Sequence, residues 1–285
     1  MSQILALPSV RALPSPSDSL QFHLSARNHH RARQRYSVSC ASLAPVLQSW
    51  ASGSSSAVLL AQGKKDPKSA RHFATDVIET VRALHVPVIW ALAGVRAGSL
   101  SCSDVFRSLL VQALQISNRV SVATDRPLTA YAVDAVATTA EWQKILDQAL
   151  LGLALVYIVI DTALFRDASA SDRKQASDIL KNLASFSEPG TPKKKVILLS
   201  RSSHVTVDHE VLEELAPIRI FTDNESHRGL SGGTITARTR DGQSLGLSRG
   251  RNRSSRIADV VRSALISSGA PTSRRSMAGD DSANE

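Results

Sequence analysis

Two segments of this chain, 154–161 (Ala-Leu-Val-Tyr-Ile-Val-Ile-Asp) and 196–202 (Val-Ile-Leu-Leu-Ser-Arg-Ser), are apolar, β-branched runs that end in charged or polar residues. Such runs predict central strands buried on both faces, as in a parallel sheet. Similar runs lie at 57–62, at 86–92 and at 218–222. In the second of these Pro87 falls near the start, where a missing backbone donor does least harm. Between the runs, apolar positions recur at spacings of three and four. Phe73, Val77, Val81 and Leu84 share one helical face, and 103–116 predicts an amphipathic helix with Ser103 as its N-cap. Further helices are predicted at 43–50, 141–151, 171–186 and 208–215. The resulting β-α-β-α-β-α-β-α-β rhythm predicts an α/β fold, with right-handed crossovers and helices on both faces of a parallel sheet.

The rhythm holds over 41–225 and stops on either side. Residues 1–40 are rich in Ser, Pro, Arg and His, with Asp18 the lone acid, and predict a disordered basic leader. A mitochondrial transit peptide is the other reading of 1–37, because Arg33-Gln-Arg-Tyr-Ser37 is similar to a presequence cleavage site. Pro8, Pro14 and Pro16 argue against the helix that such a signal needs. Residues 226–285 read as an Arg/Gly/Ser-rich tail with a single helix at 257–266.

Charge sharpens this division. The formal net charge is +9. Residues 1–45 carry five Arg and one Asp, 226–285 carry ten Arg and five acids, and 46–225 carry 19 basic and 19 acidic residues. The basicity therefore belongs to the flanks, and the folded part has no bulk charge that commits it to nucleic acid. The tail holds Arg238, Arg240, Arg249, Arg251, Arg253 and Arg256 in a flexible setting without interleaved aromatics. It suits salt-sensitive contact with a nucleic-acid backbone, but a solvated linker or a simple nuclear-import patch is the preferred reading. The two cysteines, Cys40 and Cys102, form neither a metal spacing nor a disulfide framework, which fits a reducing compartment and a cytoplasmic protein. The longest apolar stretch, 149–160, is about half the ~20 residues that a membrane span needs.

The candidate chemistry lies at the ends of the strands, the edge where open α/β sheets bind ligands. After the first strand comes Gly63-Lys-Lys-Asp-Pro-Lys-Ser69, which opens a helix. It approximates the phosphate-binding pattern G-x-x-x-x-G-K-[ST] but lacks the second glycine and is one residue short. Pro67 also removes a donor. A solvated lysine-rich turn is one reading of it, and Lys68 and Ser69 on a phosphate is the other. Asp161 ends a long apolar strand, as does an acid that orients Mg²⁺, or it caps the following loop. Arg201 ends the next strand. His85, His204 and His209 lack the partners of a zinc site.

In the order degenerate loop, strand ending in Asp161, strand ending in Ser200 and Arg201, residues 55–225 resemble the STAND class of P-loop NTPases, the NACHT and NB-ARC relatives. The segment 87–92 (Pro-Val-Ile-Trp-Ala-Leu) is similar to NACHT-like modules of fungal type. The resemblance implies a P-loop-NTPase-like three-layer sandwich that binds ATP or GTP with Mg²⁺. Gly63, Lys68 and Ser69 would meet the phosphates, Asp161 the Mg²⁺, and Arg201 the γ-phosphate. It further implies a signalling or protein-interaction module with unidentified protein partners. Thr162 rather than a second acid follows Asp161, and the nearest acid is Asp167, so hydrolysis is expected to be weak or absent. The alternative is a non-enzymatic scaffold that binds nucleic acid through its tail.

Overall fold

The computed structural model describes residues 2–33, 44–53, 56–63, 67–94, 100–120, 128–136, 138–165, 170–184, 192–201 and 218–221, and single positions at 259, 262, 263 and 266. Five strands form one sheet: β1 (Ala57–Gly63), β2 (Val88–Ala91), β3 (Leu155–Asp161), β4 (Lys193–Arg201) and β5 (Ile218–Phe221). Every pairing is parallel and the order is β2-β3-β4-β1-β5. The chain leaves β1, crosses over β4 and β3 to reach β2, and then returns strand by strand. This order sets the C-terminal ends of β1, β4 and β3 side by side. Gly63 pairs with Arg201, and Leu199 with Asp161.

Helices cover both faces. The leader forms α1 (Ser2–Leu5), α2 (Pro8–Arg11) and α3 (Pro16–Arg33), and α4 (Ala44–Ser52) and α5 (Pro67–Ala83) flank β1 in sequence. After β2 come α6 (Cys102–Val120), α7 (Ala130–Asp134), α8 (Thr139–Leu150) and, beyond β3, α9 (Ala170–Ala184). Side chains alternate along β1, β3 and β4. Leu59, Ala61, Tyr157, Val159, Ile197 and Leu199 join Leu20, Leu47, Phe73, Val77 and Ile78 of α3, α4 and α5. Leu60, Val156, Ile158, Val196 and Leu198 join Phe106, Leu109, Trp142, Leu146 and Ile179 of α6, α8 and α9. Because both faces are covered, neither needs a polar residue, and the strands read as unbroken apolar runs. Each large side chain so buried contributes about 1.5–3 kcal/mol. The protein is an α/β three-layer sandwich on a parallel sheet, as the pattern predicts.

Three local expectations need correction. Over its described residues, 2–33, the leader is not disordered: α3 runs for 18 residues and buries Leu20, His23 and Arg27. Its proline stands where proline is tolerated, since Pro16 is the first helical residue and lacks only a donor that has no partner there. Ser15 caps the turn, its Oγ accepting from the Asp18 N–H at 3.3 Å. The helix after β2 is capped by Ser101 rather than Ser103. Ser101 Oγ accepts from the Asp104 N–H at 3.2 Å, and the Asp104 carboxylate accepts in return from the Ser101 N–H at 3.3 Å. Pro192 and the three lysines after it read in the sequence as a basic turn before the apolar run at 196, but residues 193–195 belong to β4. Lys194 and Lys195 point to opposite faces, and each finds a partner. Lys194 Nζ lies 2.6 Å from Asp147 Oδ1 on α8, and Lys195 Nζ donates to the Gly53 carbonyl at 2.9 Å, just past the C-terminus of α4. The helix expected at 208–215 lies outside the described residues, as do most of 257–266 and the tail arginines.

Candidate functional site

The edge formed by the ends of β1, β4 and β3 is where the sequence places its chemistry. Gly63 is the last residue of β1 and is buried; Lys68 is exposed and Ser69 buried in the first turn of α5. Arg201 ends β4 beside Gly63. Its side chain lies outside the described residues, as do 64–66, Asp167, His204 and His209. The structure thus brings the Gly63, Ser69 and Asp161 segments to one sheet edge, with Arg201 between Gly63 and the end of β3.

Asp161 has a partner that the sequence reading did not foresee. Its Oδ2 accepts from Arg71 Nε at 2.8 Å, and its Oδ1 accepts from the Ala163 N–H at 3.0 Å. The Asp161 side chain is 4% exposed and that of Arg71 19%. Arg71 follows Ser69 by two residues and lies on the same face of α5 as the buried Ala74 and Ile78. That spacing was the available signal: a base on the sheet-facing side of the helix after the loop, facing an acid at a strand end. Thr162 Oγ1 donates to the Leu199 carbonyl at 2.8 Å and ties the start of the β3 loop to β4. Both carboxylate oxygens are therefore engaged by the chain itself.

The leader completes the cluster. His23 of α3 is buried, and its Nε2–H donates to the Ala93 carbonyl just past β2, at 2.9 Å. Burial holds the His23 imidazole below its ordinary pKa, opposed by the bond to Ala93; Arg71 adds to the lowering and Asp161 works against it. His23, Arg71 and Asp161 thus form one electrostatic group across α3, α5 and β3. Further along α3, Arg27 Nη1 lies 2.5 Å from Asp76 Oδ1 and 2.5 Å from Glu79 Oε2, both on α5. Trp90 Nε1 at the end of β2 donates to the Pro16 carbonyl at 3.0 Å. These contacts hold the leader helix along α5 and over the end of β2.

His85 has a structural part. Its φ of 56° is left-handed, its N–H donates to Arg82 O at 3.0 Å, and the Val86 N–H donates to Val81 O at 3.1 Å. This is the paired bonding that ends a helix, with His85 where glycine is commoner.

A divalent cation does not fit these residues. Mg²⁺ requires at least one open carboxylate oxygen and room for several waters. Both Asp161 oxygens already accept bonds from the chain, and a guanidinium neutralises the carboxylate. Among the described residues no group of three or more His, Cys, Asp or Glu side chains could hold a metal ion. Nor, among them, is any helix long and apolar enough to cross a membrane. No family model matches the chain, and no curated protein or solved structure matches it either.

Proposed function

We propose that this protein is a signalling or protein-interaction module built on a degenerate P-loop-NTPase-like fold of STAND or NACHT type, in which ATP turnover is lost. The observation that carries the reading is the Arg71–Asp161 pair. In a metal-dependent nucleotide site an acid at this strand end faces a bound cation. Here a cation borne by the chain takes that place at 2.8 Å. A permanent positive charge on α5 neutralises Asp161 without nucleotide, so the helix after β1 and the end of β3 stay joined in one arrangement. The shortened loop, with Pro67 in place of a donor, supports the same reading. What remains is a rigid sheet with helices available to partners.

Titration calorimetry of the full chain with Mg·ATP and Mg·GTP tests this. The expected result is no saturable heat from protein shown to be folded by circular dichroism. Micromolar binding that needs Mg²⁺ and is lost in Lys68→Ala would overturn the proposal and restore a working nucleotide site.

A further inference from the structure

A cavity of about 580 Å³ opens at the C-terminal end of β2, under the start of the leader helix. That volume lies within the range of roughly 300–1,000 Å³ typical of small-molecule sites. Its walls come from residues 13–22, the end of β2 and the first turns of α6. The lining is mainly apolar, with Leu13, Phe22, Trp90, Leu92, Val105 and Leu164 among its members.

Two observations specify an occupant. The first is charge: the chain carries a net +9, yet among the described residues the charged side chains that line the cavity are both acidic, Asp18 and Asp104. Asp104 is engaged, accepting from Ser101 and, at 3.1 Å, from Arg107 Nη1. Among the described residues the Asp18 carboxylate has no ion pair, and the Asp18 N–H donates to Ser15 Oγ. The second is aromatic surface. Phe22 is 42% exposed, large for a phenylalanine, and Trp90 already carries the Arg82 guanidinium over its ring at 5.4 Å. Aromatic faces beside an unpaired carboxylate attract organic cations and repel anions.

We propose that the cavity binds a small amphiphilic cation, an aromatic or aliphatic body bearing an amine, with the body against Phe22, Leu92 and Val105 and the ammonium on Asp18. The site shares no residue with Gly63, Lys68, Ser69, Arg71 and Asp161, so it stands or falls apart from the function proposed above.

Trp90 provides the readout. The chain has three tryptophans, at positions 50, 90 and 142, hence three indole N–H resonances in a ¹⁵N-labelled full-length sample. The Trp90 signal is assigned by its loss in Trp90→Phe. Titration with 4-phenylbutylamine is expected to move that signal saturably, with Kd on the order of 0.1–1 mM for a ligand of this size. The anion 4-phenylbutyrate, with a similar body, should leave it in place. Asp18→Asn should weaken amine binding about fivefold at most, as befits one exposed ion pair. Gly94 lines the cavity, and a Cβ there would meet nothing within 4 Å, so Gly94→Leu is expected to crowd the cavity and abolish the shift. Unchanged Trp50 and Trp142 signals show that the variant is folded. Equal response to amine and carboxylate, movement of all three indoles together, or full amine binding in folded Gly94→Leu would each overturn the proposal.

Discussion

Arg27 on the leader helix and Asp76 on α5 meet at 2.5 Å with side chains only 7% and 6% exposed, which makes this contact the buried anchor of the leader. A pair so placed holds mainly through what happens when it is broken, since removing one partner leaves the other charged and dry. Arg27→Ala should destabilise the protein by about 3–5 kcal/mol. Asp76→Ala should do less harm, because Arg27 keeps Glu79 at 2.5 Å. The paired replacement Arg27→Met with Asp76→Leu should recover most of the loss. Urea unfolding of the four chains checks the order, and equal losses from both single alanine variants would contradict the asymmetry.

Arg71→Ala exposes the same logic at the candidate site. With the guanidinium gone, Asp161 keeps only the Ala163 N–H on its Oδ1, and its Oδ2 opens toward the space that Arg71 occupied. The variant should be less stable in the absence of divalent ions. It should also regain part of that loss in millimolar Mg²⁺, with a rise in Tm that the parent chain does not show. Scanning calorimetry with and without Mg²⁺ measures both. An identical Mg²⁺ response in parent and variant would show that Arg71 does not stand in for a cation.

The sequence made the sheet legible for a plain physical reason: strands covered on both faces need no polar residues, so β1, β3 and β4 announce themselves as apolar runs ending at Gly63, Asp161 and Arg201. The leader was not legible because two of its four buried residues, His23 and Arg27, are polar, and a reading that follows apolar periodicity passes over them. The buried Lys194 and Lys195 misled in the opposite sense. Their charges suggested a turn, whereas each is matched by an acceptor, Asp147 or the Gly53 carbonyl, that is remote in sequence. The same remoteness hid the Arg71–Asp161 pair, whose members stand 90 positions apart.

Lys195 gives a signature in alkali. Burial, with the Lys193 charge adding to it, brings its ammonium down to a pKa of about 8 from 10.5. The folded state therefore loses this proton first. Between about pH 8 and 10.5 the unfolded chain binds more protons than the folded one, so this group makes stability rise with pH over that window. Below pH 8 both states are protonated and the penalty is constant. The expected gain across the window is about 1–3 kcal/mol. Lys195→Met removes the titration, so the difference in unfolding free energy between parent and variant should change by that amount from pH 8 to pH 10. A constant difference would mean that the Lys195 amine titrates normally.

His23 gives a signature of the same sign in acid, and it reports on the leader. Its imidazole donates from Nε2 to the Ala93 carbonyl, and burial lowers its pKa below the ordinary 6.5, with Arg71 nearby adding to the effect and Asp161 opposing it. As pH falls through 6.5 the unfolded chain takes up this proton before the folded one does. The unfolded state then binds more protons, and stability falls with pH until the folded-state value is passed. Protonation brings a second cation against Arg71 in a buried setting, so the contact between α3 and the end of β2 is where the structure should loosen. Hydrogen exchange corrected for its intrinsic pH dependence should show α3 losing protection between pH 6.5 and 5 while β3 and β4 keep theirs. His23→Gln retains a donor for Ala93 without a titrating proton, so its α3 protection should be nearly flat over the same range. If α3 in the glutamine variant opens with acid as readily as in the parent, the sensitivity resides elsewhere, and the carboxylates Asp76 and Glu79 that grip Arg27 become the groups to replace next.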